Sequence, residues 1–128
     1  MRYFVCSLGT INSAIPSAWA ARIIPITREQ SGVYASEDQK TFISLAALFR
    51  LQGISGEYGV ILKSGADGGN ERILLTPKID QEVELPEESI HRLPEIMEDS
   101  FRFCRGVSFA GSGALYVLDM EKIMEVIE

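Results

Sequence analysis

Apolar residues in this chain come in short runs separated by polar turns, and only two stretches carry a helical period. Residues 2–8 begin with Tyr3, Phe4 and Val5, an aromatic and β-branched run that predicts a strand. Gly9 and Asn12 mark a tight turn after it. Ser13, Ala14 and Ile15 continue as a short strand, Pro16 stops it, and one helical turn is predicted over 17–19. A further strand covers 22–26, where Pro25, lacking an N–H, belongs at a sheet edge or strand end. A hairpin follows, with strands at 32–35 and 41–43 around a polar turn at 36–40. Ser44 then caps a helical turn with Leu45, Leu48 and Phe49 on one side, ended by Gly53.

The last third of the chain follows the same plan. Strands are predicted at 106–109 and 114–118 around a turn at 110–113. Asp119 caps a short amphipathic helix with Met120, Ile123, Met124 and Ile127 on one face. Ser44, Leu45, Leu48 and Phe49 thus line up with Asp119, Met120, Ile123 and Met124. The correspondence extends further: 14–19 parallels 74–79, Ile23 falls opposite Val83, and the strand at 3–8 has a counterpart at 58–63. Between the copies, the glycine-rich stretch 64–70 reads as a hairpin loop. It lacks the lysine and the following helix of a phosphate-binding loop. Strands are read at 72–76 and 79–85, a turn at 86–89, and extended chain around Pro94 at 92–96. Each copy offers about five short antiparallel strands and one helical turn, a pattern that favours a small closed barrel because closure removes exposed edges.

Composition narrows the function classes. A chain of 128 residues fits one domain or two very small ones, and 46% hydrophobic residues supply a real core. The net charge is −6 and the twelve Lys and Arg are spread along the sequence, which argues against nucleic acid and anionic lipid as partners. No apolar run approaches the ~20 residues that span a bilayer, and the N-terminus has no signal-like pattern, so no membrane insertion and a cytoplasmic location are expected. Cys6 and Cys104 each sit inside a predicted strand and read as structural thiols.

Catalytic chemistry finds little to work with. His91 is the sole histidine, and no Ser or Cys has a partner that would make a nucleophile–base pair. No set of residues has metal-ligand spacing, and no cofactor is implied. Glu82, Glu84, Glu87 and Glu88 form the densest acidic group; a solvated strand edge and loop explains them better than acid–base work. The balance favours a binding module over an enzyme.

The run from Arg72 through Leu93 and Pro94, then Phe103 through Gly106, Val107, Gly111, Leu118, Asp119 and Met124, resembles the second half of a CheW-like domain. The opening, from Arg2 to Leu8, and the hairpin from Gly32-Val33 to Ser44-Leu45 resemble its first half. The resemblance implies an all-β fold of two SH3-like five-stranded barrels with short helical turns. It implies one domain over 1–128 with interleaved subdomains, roughly 14–57 and 74–128, completed by the N-terminal strand and by 58–64. It also implies a non-catalytic adaptor of bacterial chemotaxis, with two protein partners: the cytoplasmic tip of methyl-accepting receptors and the regulatory domain of the histidine kinase CheA. On that reading Ala20, Arg22 and Ile24 are expected to line a groove between the barrels for the receptor tip. The turn at 36–40, with Glu37, Asp38 and Lys40, is expected to form part of a barrel-end contact with the kinase domain.

The chain also departs from the family. A hairpin that usually reads Gly-Val-Ile-Asn-Leu-Arg-Gly here runs through Gly32, Val33, Tyr34, Ala35, Ser36, Glu37 and Asp38, so acidic residues replace the arginine. Ser44 replaces the usual aspartate before the first helical turn, and Arg22 stands where the family carries an acidic residue. Charge reversals at a rim change which partner is tolerated, so a diverged scaffold in another signalling route is one alternative reading, and a small ligand-binding barrel or enzyme using the acidic group and His91 is the other.

Overall fold

The structure, a computed structural model, describes residues 1–29, 32–51, 53–63, 71–99, 101–111 and 113–126. The glycine-rich loop expected at 64–70, and Ile127, lie outside the described residues. In chain order the elements begin β1 (Arg2–Ser7), β2 (Asn12–Pro16), β3 (Ala20–Arg28), β4 (Tyr34–Glu37), β5 (Lys40–Ser44), α1 (Leu45–Leu48), β6 (Gly56–Leu62) and β7 (Glu71–Thr76). They continue β8 (Lys78–Glu84), β9 (Ile90–His91), α2 (Glu95–Glu98), β10 (Cys104–Gly111), β11 (Gly113–Leu118) and α3 (Met120–Val126). Single 3₁₀ turns occupy Ser17–Trp19 and Glu87–Ser89. The chain is mostly strand, as its hydrophobic pattern implies.

Two compact units share the strands. The first joins Met1–Ser17 to Ile79–Glu128, and its sheet runs β8-β1-β2-β11-β10-β9. The second is Ala18–Lys78, with a sheet running β3-β6-β7-β5-β4. Leaving aside the two-residue β9, the two orders coincide when β8, β1, β2, β11 and β10 are matched to β3, β6, β7, β5 and β4. The sequence correspondences of 3–8 with 58–63, 14–19 with 74–79, and Ile23 with Val83 make the same matches.

One expectation is corrected here: the ladders are not all antiparallel. In each unit one is parallel, β11 beside β2 with Val117 opposite Ala14, and β5 beside β7 with Phe42 opposite Ile73. A hairpin announces its partner through the intervening turn. A parallel partner is reached through a long crossover, here α1 and β6 between β5 and β7, and leaves no local signal.

Each sheet is rolled, and side chains join strands that are distant in the ladder. In the second unit β3 and β4 are the two edges, yet Arg28 of β3 donates from Nη1 and Nη2 to Glu37 of β4 at 3.1 and 3.0 Å. Its guanidinium lies 4.1 Å over the Phe42 ring, and Ile24 and Ile26 pack on the buried cluster Phe42, Ile61, Ile73 and Leu75. In the first unit Arg105 of β10 donates to the Tyr3 hydroxyl of β1 at 2.7 Å and to Glu87, beyond β8, at 2.7 and 3.0 Å. Val83 and Ile90 pack there on Tyr3, Val5, Ala14, Leu85, Leu115 and Val117. Each unit therefore carries an arginine–carboxylate bridge beside an aromatic ring, with the charge polarity exchanged between the matched strands.

The caps fall where the sequence places them. Ser44 Oγ accepts the Ala47 N–H at 3.2 Å, and Asp119 Oδ1 accepts the Lys122 N–H at 3.2 Å. The end of α1 differs from expectation. Arg50 already takes the left-handed conformation directly after the helix, at φ 58°, three residues before Gly53, which is itself at φ 73°. The Arg50 N–H donates to Ala47 O and the Leu51 N–H to Ala46 O, the paired bonds of a Schellman cap. A non-glycine residue there costs about 1 kcal/mol, so Arg50→Gly should raise the urea-unfolding free energy by about that amount. A second difference is α2, helical where extended chain is expected. Pro94 precedes it at φ −58° and its carbonyl accepts the Met97 N–H at 2.9 Å, so the missing proline N–H falls where a helix start leaves it unneeded.

Candidate protein-binding surfaces

Strand β3 is an edge, which is where its proline can sit: Pro25 lies opposite Tyr58 of β6 without breaking an interior ladder. The ladder shifts between Ala20 and Arg22, so Arg22, Ile24 and Ile26 share the inward face. Of the residues expected to line a groove, Ala20 is half-buried, and Ile24 is half-buried against the core cluster of its own unit. Arg22 is exposed at the strand's start, with Nη2 3.9 Å from Glu71. The outward row is Ile23, Pro25 and Tyr58, all exposed. The irregularity near Ala21 sets Arg22 and Ile24 on the face opposite that of Ala20, a division that leaves no signal in the sequence, because a one-residue shift in a strand exchanges its faces.

The turn after β4 is a two-residue connection with Asp38 at φ 49° and Gln39 at φ 60°. Positive φ at both positions matches the twist that hairpin strands need, and Asp and polar residues tolerate it. Glu37 precedes the turn and Lys40 follows, directly opposite each other. Glu37 is the residue bridged to Arg28, whose donors hold its carboxyl below the usual carboxylate range. Asp38 and Lys40 are exposed at the tip. Glu37 is therefore already engaged by an arginine of its own unit.

In the first unit a cleft of about 570 Å³ is lined by Arg92, Arg102, Arg105 and Lys122, with Glu98 and Asp119. Sequence reading treats the cations as dispersed; the fold gathers four of the twelve around one opening. They come from separate elements spread over some thirty residues, so no charge run marks them.

Three of the four carboxylates of the acidic group, Glu82, Glu84 and Glu87, have side-chain or terminal partners. Glu82 Oε1 lies 2.7 Å from Arg2, and Oε2 accepts from Ser17. Glu84 meets the N-terminal amine at 2.7 Å. Glu87 is bonded to Arg105, which pulls its carboxyl down and pushes the guanidinium's pKa up. His91 is exposed on β9. Cys6 and Cys104 are both buried and outside any disulfide, and burial pushes Cys104 up to about 12, so it stays protonated at neutral pH. Among the described residues no group of His, Cys, Asp and Glu is arranged to hold a metal ion, and no helix is long and apolar enough to cross a membrane.

The two bridges have a pH consequence. Both carboxyls have folded values below their ordinary ones, so they add stability above about pH 4.3 and lose it as pH falls through the depressed values. Glu37→Gln combined with Glu87→Gln should flatten the acid limb of stability between about pH 3 and about pH 5, read as the urea midpoint against pH. An unchanged acid limb would mean that the bridges carry no linkage.

No protein-family model matches the chain, and no curated protein matches it by sequence. Among solved structures it is similar to the scaffolding protein TtCheW from Thermoanaerobacter tengcongensis, with a TM-score of 0.69 and 13% sequence identity. The match covers 93% of this chain and 84% of that one. The fold of this chain is CheW-like.

Proposed function

We propose that this chain is a non-catalytic adaptor of bacterial chemotaxis, coupling methyl-accepting receptors to the histidine kinase CheA in the cytoplasm. The observation that carries this reading is the likeness to a scaffolding protein over 93% of the chain. The adaptor's work is recognition, and its surface supplies suitable material: an exposed apolar row at Ile23, Pro25 and Tyr58, a charged turn at Glu37, Asp38 and Lys40, and Arg22 at the start of an edge strand. Apolar residues with a polar surround are the usual composition of a protein contact. In this proposal β3 serves the receptor tip and the turn serves the kinase regulatory domain. Titration of the full chain with the kinase regulatory domain from the same organism tests it. Saturable binding in the micromolar range is expected; a folded chain that shows none at high micromolar concentration contradicts it.

A second reading has its own observation. Glu37 stands where the family places arginine and is bonded to Arg28. A diverged scaffold, serving another signalling route, would show weak coupling with the usual partners. Glu37→Arg with Asp38→Gly should then strengthen kinase-domain binding; normal binding by the unaltered chain removes the basis for this reading.

A further inference from the structure

The cleft of the first unit holds more cationic groups than its own carboxylates occupy. Glu98 accepts from Arg92 at 3.5 Å, and Asp119 is engaged as the cap of α3. Arg105 is held by Glu87 and Tyr3. That leaves Arg102 and Lys122, neither of which has a carboxylate within ion-pair distance among the described residues. The Arg102 guanidinium lies 4.8 Å over the Phe103 ring. Stacking uses the face of a guanidinium and leaves its in-plane N–H groups free to meet an anion. The cleft wall is stiff: Leu93 is buried, and Phe101 stacks on Tyr116 with ring centroids 4.5 Å apart and planes 7° from parallel.

We propose that this cleft receives neighbouring Asp or Glu side chains from an acidic segment of a protein partner; that the partner is a protein rests on the adaptor reading. Charge complementarity selects the ligand class, because the cations gather at one opening of a chain whose net charge is −6. The opening is exposed rather than enclosing: the Arg92 side chain is 84% accessible, and Arg102, Arg105 and Lys122 are exposed. A small-molecule site buries most of its ligand, so an open, charged wall fits side chains presented by another protein.

The test uses the full chain, labelled with nitrogen-15, and a glutamate-rich peptide beside its glutamine-for-glutamate counterpart. The acidic peptide is expected to shift amide resonances in 101–105 and 119–122, with an affinity that falls as salt rises. Arg102→Glu with Lys122→Glu should weaken it about tenfold or more, while Lys63→Glu in the second unit leaves it unchanged. Retained thermal unfolding of each variant separates lost binding from lost fold. Equal binding of the glutamine peptide, shifts confined to other residues, or full displacement by inorganic phosphate at equal charge would each overturn the proposal. A chain that binds the kinase regulatory domain but not the acidic peptide refutes the cleft alone. One that takes the peptide in the cleft yet binds neither signalling partner supports the cleft and refutes the adaptor.

Discussion

Gly106→Val is expected to destabilise the first unit by about 3 kcal/mol, with β9 detached from its sheet. A Cβ at Gly106 would lie 2.6 Å from the His91 carbonyl oxygen and 2.7 Å from Ile90 Cγ2. The obstacle is largely backbone, so no rotamer change relieves it. β9 is only two residues long and is held by Val107 opposite His91 and Ser108 opposite Ile90. Pushing it away takes Ile90 off the core cluster and strains the 3.1 Å hydrogen bond between Ser108 and Ser89. The expected result is a lower urea midpoint and faster amide exchange at His91, with smaller changes of the same kind for Gly106→Ala. A near-neutral Gly106→Val would show that β9 yields without cost.

Tyr3→Ala is expected to cost about 4 kcal/mol, the range for deleting a large buried ring. Tyr3 has no exposed surface and sits in the cluster with Val5, Leu85 and Val117. Its hydroxyl also accepts from Arg105 at 2.7 Å, the contact that reaches from β10 across to β1. Tyr3→Phe isolates that contribution. It keeps the ring and removes the acceptor from a charged donor, for an expected loss of about 1.5 kcal/mol, because Arg105 retains Glu87. Equal losses in the two variants would place the stability in the hydroxyl; no loss in Tyr3→Phe would make the ring alone responsible.

What the sequence makes legible is local or repeated. Ser44 and Asp119 each stand before an apolar helical period, and both cap as expected. Pro25 marks an edge because the missing N–H excludes it from an interior ladder, and β3 is an edge. The doubled plan is visible because two copies of one pattern reinforce each other; the ladder orders repeat in the same way. What is not legible depends on contacts distant in sequence. The parallel ladders leave no turn to read. The irregularity near Ala21 places Ala20 on the opposite face from Arg22 and Ile24. Arg50 ends α1 in a conformation normally signalled by glycine, so the nearby Gly53 attracts the assignment. Arg92, Arg102, Arg105 and Lys122 become one cluster only after β10, α2 and α3 are in place. The turn between Glu37 and Lys40 is thus readable as a turn, whereas the side of a strand or the mouth of a cleft on which a residue falls is not.

The most direct test of the account is the autophosphorylation rate of the CheA kinase in membranes carrying its chemoreceptor, measured with and without this chain. The account predicts that adding the folded chain raises the rate severalfold and makes it respond to attractant. A rate that stays at the level of kinase and receptor alone, with the chain folded and in excess, would contradict it.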